Sequence, residues 1–413
     1  MKGGYAVNTG KLNAFAEKLK KFTSTDAFCF ILPLAVLSVW LITLVLRGKV
    51  EKASGYYILY YLYTFDRGFI SRGGITGEVI SWFYDIVTPE TTVHVSIILS
   101  AVLVFVSSLC IGFALKKVKN EPDTKSNVVF FIVLLSVLPV SFRTFLDDQK
   151  FDKLLWALAL LCVLLCEKKA TIILVPAICI LATLINSVFL FTSMFLVSLV
   201  LLQNFYDSKY SKYKLAVCFL AYSGMIATAV LSLILQKNIQ FDSAAEMVDY
   251  YFSRYSVEIA PTDRQRIIYS CVNDYFEPFS TYFVKAINEY GIARGNWKPS
   301  LLHILFIGIP TFSAFTALWI NAVRAESNRF QKFIFVLCIL FPLIAVPLTV
   351  FTWEASRYCG NALLVQLCLL IYYLVHKNGA VIDSLKKIIN YSQGHCVVSA
   401  CAAVYAAMFI ITV

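Results

Sequence analysis

The sequence predicts an all-α polytopic membrane protein with about eleven transmembrane helices, a cytoplasmic N-terminus and two long outer loops that carry interfacial helices. Three observations predict it. Hydrophobic residues make up 59% of the 413 and charged ones only 15%, against about 25% charged in soluble chains; the mean hydropathy is +0.73. Apolar runs near the 17–25 residues that cross a ~30 Å hydrocarbon core recur between short charged punctuation. The charge is also unevenly distributed along the chain.

Residues 1–27 are polar and basic, and the first apolar run is too long for a signal-peptide core, so the first span reads as a signal anchor. The runs cover about 28–46, 92–115, 127–142, 153–166, 170–186, 189–205, 214–236, 300–323, 333–351, 360–375 and 396–413. The uncharged stretch near 170–205 reads either as two spans or as one re-entrant hairpin, which would leave ten. Four regions follow: a basic N-terminus (1–27), a membrane module of seven spans (28–236) with an outer loop at 47–91, a large outer loop (237–299), and the last four spans (300–413).

With the N-terminus inside, the inner segments hold about 20 basic and 8 acidic residues and the outer ones about 16 and 17. This is the bias of the positive-inside rule. The net charge of +11 is then a topology signal, and no nucleic-acid partner is read from it. No Gly-rich phosphate loop lies in the inner segments, which argues against an ATP-driven motor. No 20–50-residue repeat is evident. Most of the 12 cysteines sit in apolar runs, where a thiol acts as a small hydrophobe; Cys271 and Cys359, in or near outer polar segments, leave room for at most one disulfide.

The first outer loop carries the densest chemistry. Gly55 to Phe65 (GYYILYYLYTF) is too short to span, and its tyrosines fit a helix lying in the interface with phenols at headgroup level. Asp66-Arg67-Gly68-Phe69-Ile70-Ser71-Arg72-Gly73-Gly74 follows, then a second amphipathic segment from Ile75 to Val87. Arginine forks suit phosphate, and glycines let backbone N–H groups approach an anion. Arg67 and Arg72 are therefore candidate ligands of a lipid phosphate, with Asp66 a candidate catalytic carboxylate. The alternative is an Asp66–Arg ion pair capping a surface turn.

The second outer segment, Ser141 to Lys153, holds Arg143, Asp147, Asp148 and Asp152. In a helix Asp148 and Asp152 share a face. Clustered carboxylates can bind a hard divalent cation, here through Asp147 and Asp148, or retain a proton for acid–base work. They equally suit a solvated helix N-terminus. Asp152 lies nearest the apolar run, where an acid is costly. The turn Thr352 to Tyr358 offers Glu354 and Arg357, either a substrate and phosphate contact or a local pair at helical spacing. Asn186 reads as a helix cap or a polar substrate contact.

In the large loop, Asp242–Tyr255 and Thr262–Tyr275 read as helices, the second opened by a Thr262…Gln265 capping box. Arg254, Arg264 and Arg266 are candidate ligands for an anionic glycan or headgroup, and Tyr250, Tyr251 and Trp297 for stacking on sugars; a lid packed on the membrane uses the same residues. The four histidines are scattered over both faces, and no G-x-S-x-G or H-E-x-x-H is present. Carboxylates and arginines remain.

A cytoplasmic N-terminus, one span and a first outer loop with an acid between two interfacial helices resemble the GT-C class of integral-membrane glycosyltransferases. The run Asp147-Asp148…Asp152-Lys153-Leu154-Leu155-Trp156 is similar to their second acidic element. The resemblance covers roughly the first 200 residues. It implies transfer of sugar from a polyprenyl-phosphate donor at the outer face of a bacterial plasma membrane, in cell-surface glycan assembly. Asp66 would be the general base, with Asp147, Asp148 and Asp152 binding metal or positioning the donor. Membrane lipids and a lipid-linked sugar are the implied partners. The size and the long outer loop also look like O-antigen or capsular polysaccharide polymerases. A lipid-linked glycan transporter or flippase is the competing class, and a noncatalytic membrane partner is a third.

Overall fold

The computed structural model describes residues 25–48, 50, 53, 55–70, 74–119, 151–235, 238–277, 309–351 and 355–394. The runs expected at 127–142 and 396–413 lie outside them, as does 300–308 of the eighth. The described residues form fourteen α-helices and no strand, only an isolated bridge between Val87 and Tyr255. In chain order these are α1 (Asp26–Leu46), α2 (Leu59–Leu62), α3 (Gly74–Ser81), α4 (Pro89–Lys119), α5 (Asp152–Cys166), α6 (Val175–Ile185) and α7 (Met194–Asp207). Then follow α8 (Lys212–Leu235), α9 (Ala244–Phe252), α10 (Pro261–Cys271), α11 (Ile309–Ala325), α12 (Arg329–Phe351), α13 (Ala355–Val375) and α14 (Gly379–Gly394).

Nine of the expected apolar runs coincide with helices. Three, Asp26–Leu46, Pro89–Lys117 and Lys212–Ser232, are long and apolar enough to cross a membrane; a fourth qualifies only if Gly360–Val375 and Gly379–Ile388, bent by 116°, count together. Their outer surfaces are oily: Leu46, Phe219 and Ile226 are 81%, 69% and 60% exposed. A soluble protein rarely shows so continuous an apolar surface, and these helices point to a membrane protein. The stretch 170–205 forms two shorter apolar helices, Ile172–Ile185 and Met194–Asp207, each about 21 Å long at 1.5 Å per residue. Asn186 acts as a cap between them, its side chain accepting the Val188 N–H at 3.0 Å.

Packing follows small residues and internal satisfaction of polar groups. Gly112 lets α1 meet α4, since a Cβ there would lie 2.2 Å from the Phe30 ring; Gly224 does the same between α8 and Ile180 of α6. Several buried hydroxyls return to their own helices, as Ser108 does to the Val104 carbonyl and Thr183 to that of Cys179, which keeps them tolerable in an apolar setting; those of Ser107, Ser193 and Ser232 make no such bond.

Longer polar side chains tie helices together. On α13, Asn361 accepts from the Trp156 indole at 2.5 Å, Gln366 accepts from Trp319 at 2.5 Å and donates to the Cys338 carbonyl, and Tyr373 donates to Gln203 at 2.9 Å. Gln203 and Gln331 exchange amide hydrogen bonds at 2.8 and 2.9 Å. Lys153, buried in the first turn of α5, donates to Ser96 at 2.7 Å and Ser100 at 3.3 Å on α4.

These ties fix directions. Lys116 pairs with Asp26 at 2.7 Å, so α1 and α4 are antiparallel. Contacts of Lys153 with Ser96 and of Lys117 with Glu167 make α4 and α5 parallel; Trp156–Asn361 and Glu167–His376 do so for α5 and α13. Lys119 and Phe151 consequently lie at opposite ends of the bundle. At the lysine-rich end the chain turns at Lys377 (φ +54°) into α14, which buries Val381 and Ser384 and exposes Lys386 and Lys387. The sequence treated this segment as a plain loop.

Gln203→Leu would leave Gln331 and Tyr373 without their partner in an apolar interior. It is expected to cost about 1–3 kcal/mol, measured as a lower thermal unfolding midpoint of the detergent-solubilised protein, whereas Lys386→Gln on the exposed face of α14 leaves the midpoint unchanged.

Candidate functional site

At the end opposite Lys117, two chain segments distant in sequence close on each other. After α1 a 3-10 turn (Gly55–Ile58) and α2 form a compact tyrosine-rich knot. The expected phenols at headgroup level are found instead inside it: Tyr60, Tyr61 and Tyr63 are buried. Tyr63 packs edge-on against Tyr251 of α9 and Tyr275, and Tyr61 against Phe151 at the start of α5. Burying large rings from both loops supplies more apolar area than either could bury alone.

The backbone then locks this pairing. Gln240 N–H donates to the Arg67 carbonyl at 2.8 Å, Val87 N–H to that of Arg254 at 2.8 Å, and Ser256 N–H to that of Val87 at 3.0 Å. Tyr251 Oη donates to the Thr64 carbonyl and Arg254 Nη1 to the Leu62 carbonyl, each at 3.1 Å. Gly68 sits at the tightest crossing with φ +120°, where a Cβ would lie 2.9 Å from the Asn238 carbonyl. Gly77 of α3 lies against Tyr63, and a Cβ there would stand 2.2 Å from its carbonyl oxygen.

Between the segments lies an open cleft of about 520 Å³, lined by Thr64, Phe65, Asp66, Glu78, Ser81 and Arg254. Asp66 accepts hydrogen bonds from the hydroxyls of Thr64 and Tyr250. Partial burial pushes its carboxyl up, but those hydroxyls and the Asp66 and Arg67 backbone N–H groups outweigh this and hold its pKa below the usual carboxylate value. Tyr250 is raised, first by its bond to Asp66 and then by burial. Glu78, half-buried on α3, accepts the Phe65 N–H at 3.0 Å and so fixes the residue before Asp66.

Arg67 does not pair with Asp66. Its guanidinium reaches Glu246 at 3.3 Å and lies 4.6 Å over the Tyr250 ring and 5.5 Å from that of Phe241. Glu246 also caps α9, accepting the Asp242 N–H at 2.8 Å, while Ser243 accepts the Glu246 N–H. The loop's side-chain N-cap is therefore Ser243, with Glu246 holding the residue before it. The Thr262…Gln265 box does not form, because α10 begins with Pro261 after Ala260 and has no side-chain cap. Observed bounds are shorter at α9 than the expected 242–255, and α10 runs on through a π-helical turn, Val272–Phe276.

No protein-family model, curated protein or solved structure matches the chain. The residues themselves carry the reading.

Of the three loop arginines, Arg254 lines the cleft. Arg264 is committed to Asp249 in a bidentate pair at 2.6–3.0 Å that staples α10 to α9, and Arg266 reaches Asp263 at 3.7 Å while largely exposed. Asp152 is buried in the first turn of α5 and is not among the described residues that line the cleft. Arg72, Arg143, Asp147, Asp148, Glu354 and Trp297 lie outside the described residues, as does the side chain of Arg357. Among the described residues no three His, Cys, Asp or Glu side chains gather as a metal site, and Cys271 makes no disulfide; the side chain of Cys359 is outside them. Glu78 and Thr64 were missed by sequence reading. Their signal, an acid one helical turn from Ser81 on an amphipathic segment, is too common to single out.

Gly77→Ala is expected to displace Tyr63 and lower the unfolding midpoint, by about 1–3 kcal/mol of overpacking. Tyr250→Phe removes a donor to the Asp66 carboxylate. Because Asp66 is depressed in the folded state, its contribution is present above the ordinary carboxylate pKa and lost as pH falls through the folded value. The variant therefore moves the acid limb of a pH–stability curve toward higher pH; an unmoved limb contradicts the assignment.

Proposed function

We propose that the chain is a GT-C-like membrane glycosyltransferase that moves a sugar from a polyprenyl-phosphate carrier to an acceptor hydroxyl in cell-surface glycan assembly. The observation that carries this reading is the Asp66 cleft, in which an ionised carboxylate and the Arg254 guanidinium share one open wall at the ends of apolar helices. The acceptor oxygen attacks the anomeric carbon, the bond from that carbon to the phosphate oxygen breaks, and the phosphate departs with the electron pair. Asp66 takes the hydroxyl proton and Arg254 offsets the charge on the leaving phosphate.

The accompanying topology is eleven spans with the N-terminus cytoplasmic and the cleft on the outer face of a bacterial plasma membrane. Two arguments support it. The lysine-rich end gathers Lys116, Lys117 and Lys377, as expected of an inner face. Lys119 and Phe151 lie at opposite ends of the bundle, as the proposed topology requires. A surface-polysaccharide polymerase uses the same substrates and the same cleft. A lipid-linked glycan transporter is the second reading, favoured by Lys153 buried between α4 and α5.

Asp66→Asn is expected to lower transfer by about 10²-fold or more and remove the surface glycan with protein level unchanged; normal glycan in that strain sinks the reading. Glycolipid profiling of a deletion strain separates the classes. A missing sugar or shortened polymer indicates a transferase or polymerase, and a complete lipid-linked precursor held on the inner leaflet indicates a transporter.

A further inference from the structure

A second cavity lies at the opposite end of the bundle, between α4, α5 and α13. It measures about 100 Å³, well below the roughly 300–1,000 Å³ of a pocket for a compact ligand. Its α4 wall nevertheless runs from Ser107 to Lys117, about 15 Å at 1.5 Å per residue. Its walls, formed by Cys110, Ala114, Leu164, Leu364, Cys368 and Ile371, are apolar over that length, and the space admits a few methylenes of a hydrocarbon chain.

The mouth is charged. Glu167 bridges Lys117 at 2.5 Å and His376 at 3.1 Å, each group partly exposed. Lys116, Lys168, Lys169 and Lys377 adjoin these groups along the chain, so five lysines stand against three carboxylates, Glu167, the Asp26 that holds Lys116, and the Asp207 that accepts from Gln203. An apolar slot ending in a cationic rim at helix ends has the polarity of an amphiphile with an anionic head.

We propose that this slot seats the head-proximal part of one acyl chain of an anionic phospholipid from the adjacent leaflet, with the phosphate at Lys117 and the neighbouring lysines. The lipid wedges α13 against α4 and α5. The site depends on the helices being membrane-embedded and is independent of the glycosyl-transfer reading.

The test uses the full chain purified from membranes and then placed in nanodiscs of phosphatidylglycerol or of phosphatidylcholine. Retained lipid is measured by mass spectrometry and stability by the thermal unfolding midpoint. The wild type is expected to retain phospholipid through detergent exchange and to unfold at a higher temperature in phosphatidylglycerol discs. Lys117→Gln, at the exposed rim, should lose that preference, and Ala114→Trp should lose the retained phospholipid while keeping its helical circular dichroism. Asp66→Asn should behave as wild type, which separates failure here from failure of the transferase reading. The proposal is overturned by equal retention in wild type and folded Ala114→Trp, by a retained free fatty acid in place of phospholipid, or by a lipid preference unchanged in Lys117→Gln. If Ala114→Trp does not fold, the Lys117→Gln comparison decides alone.

Discussion

A polar side chain inside an apolar helix bundle must find its partner there, because the surroundings offer none and an unmet donor costs free energy on the scale of a whole packing contact. The arrangement of α13 follows from this constraint. Asn361, Gln366, Tyr373 and His376 reach in turn to α5, to α11 and α12, to α7, and to the α5 terminus. Sliding α13 by one turn would break all of these at once, whereas apolar contacts alone would tolerate many registers. The polar residues thus select the one packing in which each is satisfied, and the close approaches at Gly112 and Gly224 fit the same register.

That fixed bundle gives the opposite end a floor to build on. Phe151 opens α5 and presents its ring to Tyr61, so the tyrosine knot after α1 is seated on the helices before it meets the loop beyond α8. The loop then brings Tyr251 and Tyr275 onto Tyr63, and backbone hydrogen bonds to Arg67 and Val87 set the register between the two segments. Asp66 owes its position to this pairing. Its hydroxyl donors come from either side of the junction, Thr64 from its own segment and Tyr250 from the other. Arg67, adjacent in sequence, is turned the other way because Glu246 lies 3.3 Å from it and two aromatic rings 4.6 and 5.5 Å away across the same junction.

Much of the fold was legible in the sequence because apolar length is a local property. Nine runs became helices near their expected bounds, and Asn186 capped as its residue type and position suggested. The candidate site was legible only in part. Asp66 stood out as a lone acid among tyrosines and glycines, and Arg254 as one of three arginines in a long loop. Nothing in the spacing of Arg254, Arg264 and Arg266 says which faces the cleft, since Asp249 captures Arg264 only once α9 and α10 are side by side. Gln203, Gln331 and Gln366 were passed over because neutral amides do not disturb a hydropathy profile, although they hold the bundle's register.

The sequence by itself determined a helical, membrane-directed chain with its basic excess on one set of turns, because hydrophobic length and charge are read residue by residue. Tertiary structure alone decided which acids and arginines share a cleft, that the tyrosines of 56–63 are largely core and not surface, and that α14 bends back by 116°. Those outcomes depend on hydrogen bonds and ring contacts between residues 192 positions apart and more, and no local pattern encodes a partner that far along the chain.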